Sequence, residues 1–169
     1  MQITIDTNTG IITINGETLE IKGQGKPIEH TVTLLHTPEE TKAEKTKRLW
    51  MVWADRFGIK REYIEEHAEF KANGDVIWDG DCDWFDERLT EFPPNFVEVT
   101  GYFSCSKNQL TSLEGAPQTV GGDFYCRNNK NITSIPAGIQ IGGFLRISGN
   151  QQQLRADAES KGYNVGVIY

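Results

Sequence analysis

The chain has few cysteines and no long apolar run, and these two features exclude several classes of protein. Its three cysteines include no C-x-x-C pair, which argues against a zinc site and against a disulfide framework. No apolar stretch approaches the roughly 18 residues of a membrane-spanning helix. The first residues also lack the basic and apolar regions of a signal peptide. We therefore expect a cytoplasmic protein that does not bind membranes.

Basic residues are in the minority, and the acidic excess is local. The 169 residues include 17 Lys and Arg against 24 Asp and Glu, which leaves a net charge of −7. Residues 75–100 hold eight acidic side chains and the single basic residue Arg88, so the rest of the chain is neutral on balance. This distribution argues against direct binding to nucleic acid and indicates a local acidic surface.

The common motifs of catalysis and metal binding are missing. The chain has no H-E-x-x-H, no G-x-S-x-G elbow and no P-loop. The run Asp79–Asp83 carries three carboxylates, but an EF-hand counted from Asp79 would need glycine and glutamate where this chain has Trp84 and Thr90. We therefore predict that the protein is not an enzyme and holds no metal and no cofactor.

The N-terminal residues 1–36 alternate apolar and polar side chains, a pattern typical of strands with one buried face. Asn15-Gly16 favours a type I′ hairpin turn, and His30–Leu35 has the composition of a further strand. These features predict an antiparallel meander over about residues 2–36.

Residues 37–74 are predicted to form two helices. Thr37-Pro38-Glu39-Glu40 has the form of a capping box with proline in the first turn, and Gly58 is a suitable C-terminal stop. The second helix is expected over roughly Lys60 to Ala72, where Asn73-Gly74 ends it.

The C-terminal half repeats with a period of 21 residues. The columns at this spacing are Val99, Val120 and Ile141; Phe103, Phe124 and Leu145; Cys105, Cys126 and Ile147; and Asn108, Asn129 and Asn150. One period earlier, a degenerate first copy consists of Trp78, Cys82, Trp84, Leu89 and Phe92. Alternate residues of a short strand point inwards, so we expect the apolar columns to stack as core. The asparagines should form an internal hydrogen-bonded ladder.

The segment Phe103–Leu110 reads F-x-C-x-x-N-x-L, which resembles the leucine-rich repeat. Together with Gly-Asp-Phe-Tyr-Cys at 122–126, it looks like the short leucine-rich-like repeats of bacteriophage, prophage and bacterial proteins. The resemblance covers about residues 76–150. It implies a solenoid of stacked turns, a partner surface on the outward strand face, and an origin in a phage or mobile element.

These patterns together predict an α+β fold. We expect the N-terminal β-hairpin or meander (1–36) and the two helices (37–74) to pack on a short leucine-rich-repeat-like β-solenoid (75–150). A helix and a strand in residues 151–169 would form a C-terminal cap, because stacked turns need both ends covered. Strand edges left open could pair two copies, so a homodimer remains an alternative to the monomer.

The strand face is the outward side of one column of solenoid strands. Residue types enriched at interface hot spots, Tyr, Phe and Arg, occur among its outward side chains. The predicted partner-binding residues are Asp81, Asp83, Phe85, Tyr102, Asp123, Tyr125, Arg127, Phe144 and Arg146. The same pattern places Ser104, Ser106 and Ser148 outward. In the alternative interpretation, the caps of the protein cover Phe85, Tyr102 and Phe144.

The leading functional hypothesis is a non-enzymatic protein–protein interaction module, encoded by a phage or mobile element, that binds and modulates a host protein in the host cytoplasm. A second hypothesis makes residues 75–100 an acidic mimic of nucleic acid that inhibits a host defence nuclease, of the anti-CRISPR or anti-restriction type. A third is an uncharacterised hydrolase or metal enzyme whose site is assembled from the three parts of the chain.

Overall fold

The computed structural model describes residues 3–6, 11–14, 17–20, 39–129 and 131–168. The chain divides into two compact units, residues 1–38 and residues 39–169. In the first unit, three strands form an antiparallel sheet in the order of the chain: β1 (Ile3–Asp6), β2 (Ile11–Ile14) and β3 (Glu17–Glu20). These strands confirm the first part of the predicted meander. Asn15-Gly16 and the strand expected at His30–Leu35 lie outside the described residues.

Helix α1 (Lys42–Phe57) begins later than predicted. Its N-cap is Thr41, whose hydroxyl accepts the Glu44 N–H at 3.2 Å while the Glu44 carboxylate accepts the Thr41 N–H at 2.8 Å. The helix start predicted at Thr37 is therefore wrong, because Thr41 and Glu44 meet the same capping-box requirement one turn further on. Gly58 ends the helix in the left-handed backbone conformation, as predicted.

Helix α2 (Arg61–His67) is shorter than the predicted helix, which extended to Ala72. Strand β4 (Ala68–Phe70) follows it and pairs antiparallel with β5 (Val76–Trp78). Asn73-Gly74 therefore forms the turn of a hairpin and does not end a helix. The hairpin is favoured because it brings Phe70 against Trp50 of α1, with the ring centroids 5.7 Å apart.

Residues after β4 wind through about four turns of a β-solenoid, in which short parallel strands stack into two sheets. The remaining strands are β6 (Cys82–Asp83), β7 (Phe96–Val99), β8 (Phe103–Ser104), β9 (Thr119–Val120), β10 (Phe124–Tyr125), β11 (Gln140–Ile141), β12 (Leu145–Ser148) and β13 (Val165–Ile168). One sheet has the order β11-β9-β7-β5-β4, and the other has the order β13-β12-β10-β8-β6. Three helices and these sheets make the described part an α+β fold.

The strand register confirms the period of 21 residues. In one sheet Val120 lies opposite both Val99 and Ile141, and in the other Phe124 lies opposite both Phe103 and Leu145. The degenerate first copy follows the same register, because Cys82 pairs with Phe103 and Trp78 with Val99. The predicted apolar columns are buried as the solenoid core, except that Ile141 is half-buried and packs against it.

Tryptophan side chains join α1 to the first turn of the solenoid. Trp53 lies 4.8 Å from Trp84 between ring centroids, and Trp50 lies 5.2 Å from Phe96. The Trp50 indole N–H donates to the Pro94 carbonyl at 2.7 Å. Because these rings are buried, the cluster contributes much of the apolar surface removed from water in this half of the unit.

The asparagine ladder is confirmed for two of its three predicted residues. The Asn108 amide donates to the Trp84 carbonyl at 2.7 Å and accepts the Leu89 N–H at 2.9 Å, so it joins two turns. Asn129 makes the equivalent bonds one turn later, to the Cys105 carbonyl at 2.9 Å and from the Leu110 N–H at 3.2 Å.

The prediction for Asn150 is wrong, because this side chain is exposed. Gln151 takes its place and is buried, donating to the carbonyls of Cys126 at 3.2 Å and Asn129 at 3.1 Å. The last turn runs directly into helix α3 (Gln152–Ser160), which has Gln151 as its N-cap residue. The longer glutamine side chain reaches the same carbonyl position from one residue further along the chain.

Helix α3 and strand β13 follow the last solenoid turn. The helix buries Leu154 and Ala158, and its Asp157 carboxylate accepts the Ile135 N–H at 2.9 Å. Strand β13 then pairs in parallel with β12 and extends the sheet.

None of the helices in the described ranges is long and apolar enough to span a bilayer.

Candidate functional site

The strand face is a continuous row of outward positions across β6, β8, β10 and β12. The register aligns Asp83, Ser104, Tyr125 and Arg146 in neighbouring strands. Stacked parallel strands lie about 4.8 Å apart, so side chains of successive turns in this row are close enough to interact. The fold therefore brings the predicted binding residues Asp83, Tyr125 and Arg146 into one row.

Two aromatic rings of the strand face are open to solvent. Phe85 is 45% exposed and Phe144 is 46% exposed, so the described helices and strands do not cover them as the alternative interpretation required. Tyr102 is half-buried and packs edge-on against Tyr125, with 5.8 Å between the ring centroids. Burial first, and the nearby carboxylates of Asp83 and Asp81 next, raise the pKa of Tyr102.

Two predicted outward serines are buried, which corrects the expectation for them. Ser104 is 7% exposed and lies in the register between the larger residues Asp83 and Tyr125. Ser106 is 1% exposed, and its hydroxyl accepts the Arg127 N–H of the next turn at 3.1 Å. These small side chains form the floor between larger neighbours and contribute little accessible surface.

A cluster around Asp123 organises the centre of the face. One carboxylate oxygen accepts the Phe144 N–H at 2.7 Å. The other accepts from Arg146 Nε at 2.8 Å and from the Tyr125 hydroxyl at 3.2 Å. The Arg146 guanidinium also lies over the Phe144 ring, with its Cζ 4.5 Å from the ring centroid. The face therefore presents these side chains in a fixed arrangement.

The protonation of Asp123 reflects opposing effects. Burial raises the pKa of its carboxyl, but the Phe144 N–H and the Arg146 guanidinium outweigh that effect, so the pKa lies below its ordinary value. The carboxylate is consequently ionised at neutral pH and can hold Arg146 in place.

Asp81 uses its carboxylate in the same way two turns earlier, where it accepts the Tyr102 N–H at 2.9 Å. Both sites require a glycine just before the residue that donates. A Cβ on Gly101 would lie 2.2 Å from the Asp81 oxygen, and a Cβ on Gly143 would lie 2.1 Å from the Asp123 oxygen. This arrangement of carboxylate and glycine is not among the sequence-based predictions, although the glycines at 80, 101, 122 and 143 keep the 21-residue period.

Most acidic residues of the first turn are exposed, although Glu87 is half-buried, and several already have partners. The Asp86 carboxylate pairs with Lys107 Nζ at 2.7 Å, and this ammonium lies 5.5 Å from the Phe85 ring centroid. Asp79 accepts the Thr100 hydroxyl at 3.2 Å. Across the described ranges, no three His, Cys, Asp or Glu side chains are arranged to hold a metal ion.

The three cysteines lie in the core and show no sign of nucleophilic activation. All are 0% exposed, and burial raises the pKa of the Cys126 thiol to about 12. Burial likewise raises the pKa of Cys82 and Cys105. Because the thiolate is the reactive form, these thiols act as small apolar groups at neutral pH.

One groove of the described part lies away from the strand face. It encloses about 550 Å³ and is lined by the corner segments around Pro93, Leu113 and Pro136. Smaller cavities include one of about 360 Å³ beside Arg127.

No match was found when the chain was compared with protein-family models, with curated proteins and with solved structures.

Proposed function

We propose that this protein is a non-enzymatic interaction module whose strand face binds another protein. The observation that carries the proposal is the exposure of Phe85 and Phe144 at 45% and 46%, on the strand face that also holds the paired rings of Tyr102 and Tyr125. Covering exposed aromatic surface is favourable, and aromatic side chains are common among interface hot spots.

The fixed arrangement of the face supports the same proposal. Arg146 is held by the Asp123 carboxylate at 2.8 Å and by the Phe144 ring, so little side-chain freedom remains to be lost on binding. A parallel sheet beneath these residues supplies a rigid base. A partner would therefore meet a preorganised surface of aromatic rings with acidic groups near β6 and arginines near β10 and β12.

We further propose that the solenoid is leucine-rich-repeat-like, with α1 and α2 as the cap of its first turn and α3 with β13 as the cap of its last. The amides of Asn108 and Asn129 support this assignment, because each joins successive turns as a repeat ladder would. From the resemblance of the repeats, we propose that the chain comes from a phage or mobile element and that a host protein in the cytoplasm is the partner. Pairing of two copies is a further outcome to test.

The test is capture of a partner from bacterial lysate by tagged protein, with Tyr125→Ala/Phe144→Ala as the face variant. The matched control is Val52→Ala, which removes an apolar side chain that is 59% exposed on α1. We expect wild type and control to retain one discrete protein at about 150 mM salt, where exposed charges are strongly screened. The face variant should bind it at least about tenfold more weakly. Equal retention by all three folded proteins would contradict the proposal.

The acidic-mimic hypothesis is a second candidate, favoured by the exposure of Asp79, Asp81 and Asp83 on one turn. It predicts that the protein captures a nuclease and that the amount retained falls steeply as the salt concentration rises. An Asp79→Asn/Asp81→Asn/Asp83→Asn variant keeps the side-chain acceptors but removes the charges. Loss of binding by this variant, with binding retained by Tyr125→Ala/Phe144→Ala, would favour the mimic over the strand-face module.

A further inference from the structure

The Arg127 guanidinium includes a buried N–H, at Nε, that has no hydrogen-bond partner among the described residues. The neighbouring cations differ, because Lys107 is paired with Asp86 and Arg146 with Asp123. Buried N–H groups are normally satisfied, since an unpaired one is costly. The Arg127 guanidinium can therefore still donate hydrogen bonds to a group other than Asp86 or Asp123.

A cavity of about 360 Å³ is lined in part by Arg127. Its lining consists of Arg127, Asn128, Ser148, Gly149, Asn150 and Ile168. No carboxylate is among these described lining residues, although the chain as a whole carries a net charge of −7. The cavity is consequently a locally cationic and polar site on an acidic protein.

The polar side chains of the lining are arranged as donors. The Ser148 hydroxyl donates to Asn128 Oδ1 at 3.1 Å and accepts the Asn128 N–H at 3.1 Å. The Asn128 oxygen is thus occupied, and its amide NH₂ is the group left to donate. Asn150, which Gln151 displaces from the internal ladder, is exposed and lines the same cavity with a second amide.

We infer that this cavity is a binding site for a compact oxyanion, a carboxylate or a phosphate group, held by Arg127 with help from Asn128 and Asn150. The planar guanidinium can bind either group through bidentate hydrogen bonds to two of its oxygen atoms. In one respect the inference rests on the proposed function, because Arg127 belongs to the strand face and the anion would be a group that the partner presents. The site itself is testable without any partner.

The experiment is an NMR titration of the arginine Nε–Hε signals in the full chain, with Arg127 assigned by its loss in Arg127→Lys. The probes are sodium acetate and inorganic phosphate at neutral pH, with sodium chloride at equal ionic strength as the control salt. We expect a saturable shift of the Arg127 signal with at least one probe, while the Arg146 signal, already held by Asp123, stays in place. Saturation by acetate alone assigns the site to carboxylates, and saturation by phosphate alone assigns it to phosphates.

A second variant guards against a folding defect in Arg127→Lys. Asn150→Ala changes an exposed side chain and should raise the half-saturating probe concentration several-fold while leaving the amide fingerprint unchanged. Shifts that grow linearly and equally in all three salts would overturn the inference. That result would leave the strand-face proposal standing, because the capture experiment depends on Tyr125 and Phe144 and not on an anion.

Discussion

At the scale of single residues, one amide side chain holds each pair of successive solenoid turns together. Asn129 bonds the Cys105 carbonyl and the Leu110 N–H, both of which belong to the preceding turn. Neither backbone group is in a strand, so the side chain replaces the ladder partner that each would otherwise have. An inward asparagine at this position is thus a structural residue, in contrast to the outward residues of the strand face.

Replacing Asn129 by alanine should lower the free energy of unfolding by about 1–3 kcal/mol, because the buried Leu110 N–H loses its acceptor, while the Cys105 carbonyl keeps the Asn108 amide as a donor at 2.9 Å. Asn150→Ala is the matched control and should change it by less than about 0.5 kcal/mol, since this side chain is exposed. Urea unfolding followed by tryptophan fluorescence measures both. A large loss in Asn150→Ala would show that the ladder has a third asparagine after all.

At the scale of the elements, the turns of the solenoid approach each other most closely at their glycine corners. A Cβ on Gly142 would lie 2.1 Å from the Gly121 carbonyl oxygen, and a Cβ on Gly121 would lie 2.1 Å from the Thr100 oxygen. These contacts are with backbone, which cannot move without separating two turns. The glycines therefore set the spacing of the stack, while the strands of two to four residues set its register.

Gly142→Ala should destabilise the protein by about 3 kcal/mol or more, because the preceding turn must shift to admit the methyl group. Gly162→Ala is the comparison, since a Cβ there meets nothing within 4 Å and the cost of about 1–2 kcal/mol comes from its φ of +82°. Thermal unfolding of the two variants distinguishes steric from conformational cost. Equal losses of stability would contradict the close approach at Gly142.

The element boundaries show where local sequence was informative. Gly58 ended α1 as predicted, because a left-handed stop depends only on the adjacent helix. The start of α1 was misplaced because Thr37 and Thr41 both begin an S/T-x-x-E pattern, and the local sequence does not rank them. The predicted second helix is longer than α2, because the hairpin that takes the place of its last residues forms only when β4 pairs with β5.

At the scale of the whole molecule, the net charge of −7 is compatible with stability at neutral pH because many acidic groups are paired or hydrogen-bonded. Asp123 and Asp157 both have a pKa below the ordinary value of 3.8. For Asp123 the Phe144 N–H and Arg146 overcome the effect of burial, and for Asp157 the causes are Lys161 and the Ile135 N–H. The ionised forms of both therefore favour the folded state.

A lowered folded-state pKa contributes stability above the unfolded value of 3.8, and this contribution is lost as pH falls through the folded-state pKa. Asp123→Asn should accordingly be less stable than wild type near pH 7, because Arg146 loses its ionised partner. The difference should shrink as pH falls below about 3.8. Urea unfolding of both proteins across this range is the measurement. A difference that does not change with pH would rule out the Asp123 charge as its cause.

The sequence alone determined the 21-residue period, the inward columns and the outward position of the aromatic residues, because each follows from spacing along one short strand. For the candidate site, it predicted a set of outward residues but not the bonds between them. Asp123 and Arg146, which form an ion pair, lie about one period apart in the chain. The same is true of Arg127 and Asn150, which line one cavity together with Asn128. Such contacts depend on how the turns stack.

Only the tertiary structure decided that Gln151 and not Asn150 completes the ladder, that Ser104 and Ser106 are buried, and that α1 meets the first turn through its tryptophans. Each of these outcomes depends on which side chain occupies a given space or bonds a given backbone group. Spacing along the chain determines which face a residue lies on. Which side chain then fills a space or bonds a backbone group depends on its length and on where the neighbouring turns place that space or group.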